Sequence, residues 1–124
     1  MKIPKNLEVR HVSEEVGYGV FTTAPLKKNT VVEICYCIVY ERTNVNWVLN
    51  DYLFNTHMNS KNVFLPLGYG AIYNHHTSPN IVIKYSEDTP NFVKFVALRD
   101  IKKNEELVHD YGDKYWETRK KRII

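Results

Sequence analysis

The 124-residue sequence predicts a small, mostly β domain built of short strands. Three observations carry that expectation. Leu7-Glu-Val-Arg-His-Val12 alternates apolar and polar residues with the period of a half-buried strand. Val31 to Tyr40 is rich in Val, Ile, Tyr and Cys, types that suit a pleated surface buried on at least one face. Ile81 to Tyr85 and Phe92 to Leu98 are two more strand-like runs, and Glu87-Asp-Thr-Pro-Asn91 between them turns the pair into a hairpin.

The remaining elements follow in chain order. Gly17 and Gly19 interrupt the first alternation, and Val20-Phe-Thr-Thr23 resumes it. Ala24-Pro-Leu-Lys-Lys-Asn-Thr30 is a turn in which Pro25 fixes φ and Asn29 tolerates a left-handed backbone. Its form returns in Ile101-Lys-Lys-Asn-Glu-Glu-Leu107, again a Lys-Lys-Asn turn between apolar anchors and ahead of a strand. Two copies make a repeated turn design rather than a solenoid. Between the turns, Trp47, Leu49, Leu53 and Phe54 have rough helical spacing, which predicts a short helix over Asn46 to Phe54. Asn62-Val-Phe-Leu-Pro-Leu67 is either a broken strand or an extended loop.

Composition sets the outer bounds. With 44% hydrophobic and 25% charged residues, the sequence reads as one globular domain over 1–124 with a small core. No apolar run approaches the roughly 18 residues of a membrane helix, and no signal pattern opens the chain, so neither a membrane span nor secretion is expected. Cys35 and Cys37 would share one face of a strand, too near in sequence for an ordinary disulfide and too few for a zinc site. They are expected to be structural thiols in a reducing, intracellular compartment. The net charge is +3, and much of the excess sits at Arg119-Lys-Lys-Arg122. That run leaves open a solvated tail, a nuclear address or a contact to nucleic acid.

Three boxes carry possible chemistry. Gly17-Tyr18-Gly19 alone is compatible with an ordinary tight turn. Gly68-Tyr-Gly-Ala-Ile-Tyr-Asn-His-His-Thr-Ser-Pro-Asn80 brings an Asn-His pair beside two glycines and a stiff Pro79-Asn80 step. In isolation the pair could be a capped turn with a satisfied histidine. Glu106-Leu-Val-His-Asp-Tyr-Gly-Asp-Lys-Tyr-Trp116 is dense in aromatic and acidic groups, and Tyr111 alone could be a core tyrosine at a strand end.

Together and in this order, the boxes resemble those of SET domains, the fold of S-adenosylmethionine-dependent protein lysine methyltransferases. The Gly-x-Gly is Gly17-Tyr18-Gly19, the Asn-His-x-x-x-Pro-Asn is Asn74 to Asn80, and the Glu-Leu-x-x-x-Tyr is Glu106 to Tyr111. His76 and Thr77 depart from the Ser-Cys common in the second box. Glu33-x-Cys35-x-Cys37-Ile-Val39, Asp51-Tyr-Leu-Phe54 and Tyr111-Gly-Asp-x-Tyr-Trp116 are similar to the minimal viral SET histone H3 methyltransferases. The resemblance implies small curled β-sheets with short helices, and a C-terminal segment threaded under a loop as a pseudoknot.

It also implies roles. Gly17, Tyr18 and Gly19 would lie against the methionine end of S-adenosylmethionine, Asn74 and His75 would hold its amino-acid and adenine groups, and Trp116 would cover the adenine. The Tyr111 hydroxyl would sit where the lysine amine meets the methyl group, with Tyr52 and Tyr115 lining the lysine channel. The product would be S-adenosylhomocysteine. Tyr36, Tyr40 and Tyr85 read as structural tyrosines on strand patterns.

An aromatic channel suits this chemistry. A free lysine has a pKa of about 10.4, so holding it neutral at pH 7 costs roughly 4.6 kcal/mol. Desolvation and a neighbouring sulfonium charge both lower that pKa, and a rigid channel aims the amine. No metal is required, and pre-SET or post-SET zinc modules are not expected. The implied substrate is a histone H3 tail lysine, with Ala-Arg-Lys-Ser as a candidate context, which would place the protein in a nucleus. Glu33, Asp51 or Asp88 could line a groove for so basic a peptide. A domain this small also lacks the flanking modules that often complete the substrate groove, so a homodimer is expected. The rivals are a methyltransferase of a non-histone protein, a SET-like module that binds peptide without turnover, and a small basic nucleic-acid adaptor.

Overall fold

The first alternation becomes strand β1 (Leu7–Ser13), paired antiparallel with β2 (Gly17–Thr22). The two glycines do not interrupt β2. Gly17 opens the strand at φ 84°, and Gly19 lies within it opposite Arg10. The computed structural model describes residues 4–41, 54–55, 62–86 and 88–111. Every regular element among them is a strand.

The β-rich run forms β3 (Val31–Glu41), the longest strand described and the centre of a five-stranded sheet. Its neighbours are β5 (Asn62–Pro66), with β4 (Phe54–Asn55) outside it, and β8 (Phe92–Ala97), with β7 (Ile81–Tyr85) outside that. The 62–67 segment is therefore a strand, and the expected hairpin pairs Ile81 with Ala97 through to Tyr85 with Val93. Of the helix expected over 46–54, Phe54 belongs to β4 and the rest lies outside the described residues, as does Glu87 in the hairpin turn.

A register shift between Val31 and Glu33 breaks the alternation of β3, so that Val32 and Glu33 are both buried. Beyond it, Cys35 and Cys37 point into the core with Phe64, Tyr73, Ile81, Val93 and Phe95. Both thiols are free, and burial pushes them up, Cys37 to about 12, so neither carries a reactive thiolate at neutral pH.

The second sheet holds β1, β2, β9 (Glu106–His109) and β6 (Asn74–His75), in that order. The two Lys-Lys-Asn turns meet each other. Leu26 and Ile101 exchange both backbone hydrogen bonds, at 2.9 and 2.7 Å. Asn29 and Asn104 take left-handed φ values of 70° and 71°, as the turn design demands. This bridge fixes where β9 begins, and β9 builds the site.

Candidate active site

β9 runs between the other two boxes. It pairs antiparallel with β2 through Val20–Leu107 and Phe21–Glu106, and parallel with β6 through Asn74–Val108 and His75–His109. A two-residue strand is weak by itself, and Asn80 reinforces it. The buried Asn80 amide donates to the Glu106 carbonyl (2.8 Å) and accepts from the Val108 N–H (2.9 Å). The rigid Pro79-Asn80 step thus ties the loop after β6 back onto β9.

Asn74 ties the first box to the third. Its Nδ2 donates to the Tyr18 carbonyl (3.0 Å) and to Glu106 Oε2 (2.7 Å). Both amide hydrogens are committed, so Asn74 can offer a ligand only its carbonyl oxygen, an acceptor suited to an ammonium group. Gly19 is required by this contact: a Cβ there would run into the Glu106 carboxylate and come within 2.8 Å of Asn74 Nδ2. Tyr18 is 60% exposed and stands edge-on to His11, with 5.4 Å between ring centroids.

His75 faces Tyr111. The Tyr111 N–H donates to His75 Nδ1 at 2.9 Å, and the rings lie 5.2 Å apart. A nitrogen accepting that bond is unprotonated, and burial lowers the His75 pKa accordingly. Asp110, 3.7 Å from the same nitrogen, is therefore not an ion-pair partner at neutral pH. His109, beneath Tyr111 at 4.8 Å between rings, is held down to about 3 by burial and then by His75, so it also stays neutral. The Tyr111 hydroxyl donates to the Tyr73 carbonyl at 2.6 Å.

Tyr18, Asn74 and Tyr111 border a cleft of about 460 Å³ whose lining is completed by Val9, Val16, Gly17, Ala71 and Ile72. Its size is within the usual range for small-molecule sites, and its wall is mixed apolar and polar. Gly17 leaves open space where a Cβ would stand, so bare backbone can approach a ligand there. The arrangement fits a zwitterionic, partly apolar cofactor: backbone and an amide oxygen for its polar end, Val and Ile side chains beside them. Among the described residues no group of three or more His, Cys, Asp or Glu is placed to hold a metal.

Of the sequence candidates, Gly17, Tyr18, Gly19, Asn74, His75 and Tyr111 are brought together. Tyr52, Tyr115 and Trp116 lie outside the described residues, as do Asp51 and Arg119 to Arg122. Glu33 cannot line a peptide groove. It is 2% exposed, accepting from the Tyr73 hydroxyl (2.6 Å) and the Tyr69 N–H (2.9 Å), because it shares the inward face of β3 with Cys35 and Cys37. Asp88 is exposed. Tyr36 is 40% exposed and packs edge-on against Phe92, consistent with a structural role. The sequence offered no sign of Tyr73 or His109. Tyr73 adjoins the Asn-His pair, but its partner Glu33 precedes it by forty residues.

A family model described as the SET domain matches residues 17–112. A Schizosaccharomyces pombe protein named as a histone-lysine N-methyltransferase specific for H3 lysine 37 is 35% identical over 94% of this chain and 82% of its own length. The solved structure of a candidate histone methyltransferase of Plasmodium falciparum superposes with a TM-score of 0.72 and 32% identity, covering 92% of this chain and 99% of that one. KRYPTONITE, solved with mCHH DNA, an H3(1-15) peptide and S-adenosylhomocysteine, gives a TM-score of 0.71 over 90% of this chain and 24% of that one. At 20% identity it speaks for the fold alone. Neither named organism is a virus, so the viral resemblance gains no support from them.

Proposed function

The chain belongs to the SET-domain family of S-adenosylmethionine-dependent protein lysine methyltransferases, and from that premise we propose that it methylates a lysine in the tail of histone H3, with Tyr111 as its catalytic residue. The observation that carries this assignment is the convergence of Gly17, Tyr18, Asn74 and Tyr111 on one cleft, with Gly19 packed against Asn74 and His75 bonded to the Tyr111 backbone. The substrate rests on the H3 lysine-37 name of the yeast relative. A histone substrate would place the protein in a nucleus.

S-adenosylmethionine, when bound, supplies a methyl group on a sulfonium centre. The chain's own residues bind, orient and desolvate. Asn74 and the backbone of Gly17 to Gly19 hold the polar end of the cofactor, and His75 fixes the backbone of Tyr111. The Tyr111 hydroxyl donates its hydrogen bond to the Tyr73 carbonyl, which leaves the phenolic lone pairs to accept from the lysine amine and align it. Ile72 and Val16 keep water from the amine, which favours its neutral, nucleophilic form. Tyr52 and Tyr115 would complete the lysine channel and Trp116 the adenine cover.

S-adenosylhomocysteine at millimolar concentration should raise the melting temperature, because a ligand that binds only the folded state stabilises it. Asn74→Ala should weaken that response. The same protein should methylate an H3 peptide panel, including an Ala-Arg-Lys-Ser peptide and one spanning lysine 37, as read by mass spectrometry. A folded sample showing neither thermal shift nor methylation would leave a peptide-binding module as the better account. Arg119 to Arg122 remain open to a nucleic-acid contact, which would appear as salt-dependent DNA affinity.

We also propose that two chains pair. A second groove of about 460 Å³ on the five-stranded sheet, lined by Ile34, Tyr85, Phe92 and the two lysines Lys84 and Lys94, adjoins the exposed Tyr36 and Ile38. Burying such an apolar surface is what a homodimer would gain. Light scattering at tens of micromolar should give twice the 14.6 kDa chain mass, and a 14.6 kDa species would overturn the pairing.

A further inference from the structure

We infer that Glu33 and Tyr73 are positioning residues for the methyl transfer: the buried Glu33 carboxylate, through the Tyr73 ring, fixes the Tyr73 carbonyl on which the Tyr111 hydroxyl is seated. The inference rests on the assignment of Tyr111 as catalytic. It starts from an oddity of the core, a carboxylate 2% exposed that makes no ion pair among the described residues. Its two oxygens grip one short segment at both ends. Oε2 accepts from the Tyr69 N–H at 2.9 Å, and Oε1 accepts from the Tyr73 hydroxyl at 2.6 Å.

Between these anchors the chain makes a turn, closed by the Ile72 N–H donating to the Tyr69 carbonyl at 2.8 Å. Ala71 and Ile72 of that turn line the cleft. Tyr73 itself is fully buried, packed 4.6 Å from Phe95 between ring centroids. Burial, and then the Glu33 charge, push its phenol far up, so it stays a hydrogen-bond donor at every working pH. Tyr73 therefore has a fixed ring at one end and, at the other, the carbonyl that accepts from Tyr111 at 2.6 Å.

A core phenylalanine would fill the same volume without asking a carboxylate to leave water. The phenol and the carboxylate add direction: they set where the 69–73 backbone lies. A shift of about 1 Å at a reacting centre can cost on the order of 100-fold in rate, so even a partial loosening should be visible in turnover.

The test is a double-mutant cycle on kcat with an H3 peptide and S-adenosylmethionine, alongside the thermal shift with S-adenosylhomocysteine. Tyr73→Phe should lower kcat about 10-fold while leaving both KM values and the thermal shift within about two-fold of wild type. In a Tyr111→Phe background the same change should cost less than about two-fold, because the hydroxyl being positioned is already gone. Glu33→Gln can accept from Tyr69 and donate to the Tyr73 oxygen, so it should retain most of the kcat that Glu33→Met loses. Should Tyr73→Phe fail to fold with a carboxylate stranded in the core, Glu33→Gln/Tyr73→Phe carries no buried charge and takes its place with the same expectation. Wild-type kcat in the Tyr73 variant, or an equal loss in both backgrounds, overturns the inference. Tyr111→Phe at the wild-type rate would instead overturn the catalytic assignment of Tyr111, and this inference with it.

Discussion

Replacing Tyr111 by Phe should leave a folded, cofactor-binding protein that transfers methyl groups slower by about two orders of magnitude or more. The substitution keeps the ring and its contacts with His75 and His109, and it keeps the backbone bond from the Tyr111 N–H to His75. It removes the hydrogen bond from the hydroxyl to the Tyr73 carbonyl, for a net cost of about 1 kcal/mol. The groups proposed to hold the cofactor, Asn74 and the Gly17 to Gly19 backbone, are untouched, so the thermal shift with S-adenosylhomocysteine should persist. A purely structural tyrosine would show the opposite pattern, a small stability loss with normal turnover. Tyr36→Phe, on the exposed side of β3, is the control expected to change neither. Methylation by Tyr111→Phe at close to the wild-type rate would mean that another residue orients the amine.

The largest effect on stability should come from Gly68→Ala. Gly68 has φ 75°, a backbone that costs an L residue roughly 1–2 kcal/mol. Its missing Cβ points straight at Glu33 Oε2, so an alanine must also drive the carboxylate away from the Tyr69 N–H and the Tyr73 hydroxyl. Stranding buried polar groups adds about 1–3 kcal/mol. A total near 3 kcal/mol corresponds to a fall in melting temperature on the order of 10 °C for a domain of this size. Gly17→Ala supplies the comparison. It has a similar φ of 84° but open space where the Cβ would go, so it should lose only the strain. If both variants melt together, the contact between position 68 and Glu33 is not what makes glycine necessary there.

Much of this protein was legible from local pattern. Alternation gave β1, the β-branched and aromatic run gave β3, and the turn residues at 87–91 gave the β7–β8 hairpin, because each depends on residues a few positions apart. Asn29 and Asn104 were readable for the same reason, since a left-handed turn asks for its residue locally. The spaced boxes named the family and, through it, the residues that gather at the cleft.

What only the tertiary structure decided lies in contacts between distant positions. Gly19 looked like a strand breaker, yet it sits inside β2 because the Glu106 carboxylate and the Asn74 amide occupy the space its side chain would take. Glu33 was a candidate for lining a peptide groove, since a strand pattern alone does not say what a charged side chain will meet. It lies on the inward face of β3 with Cys35 and Cys37, where its partner is a phenol forty residues later. The sequence by itself determined the longer strands, the turns and the family, since these follow from neighbours in the chain. Which carboxylate anchors which tyrosine, and which carbonyl receives the Tyr111 hydroxyl, was decided by the packing of the two sheets, where a buried polar group must find its partner wherever the fold brings one.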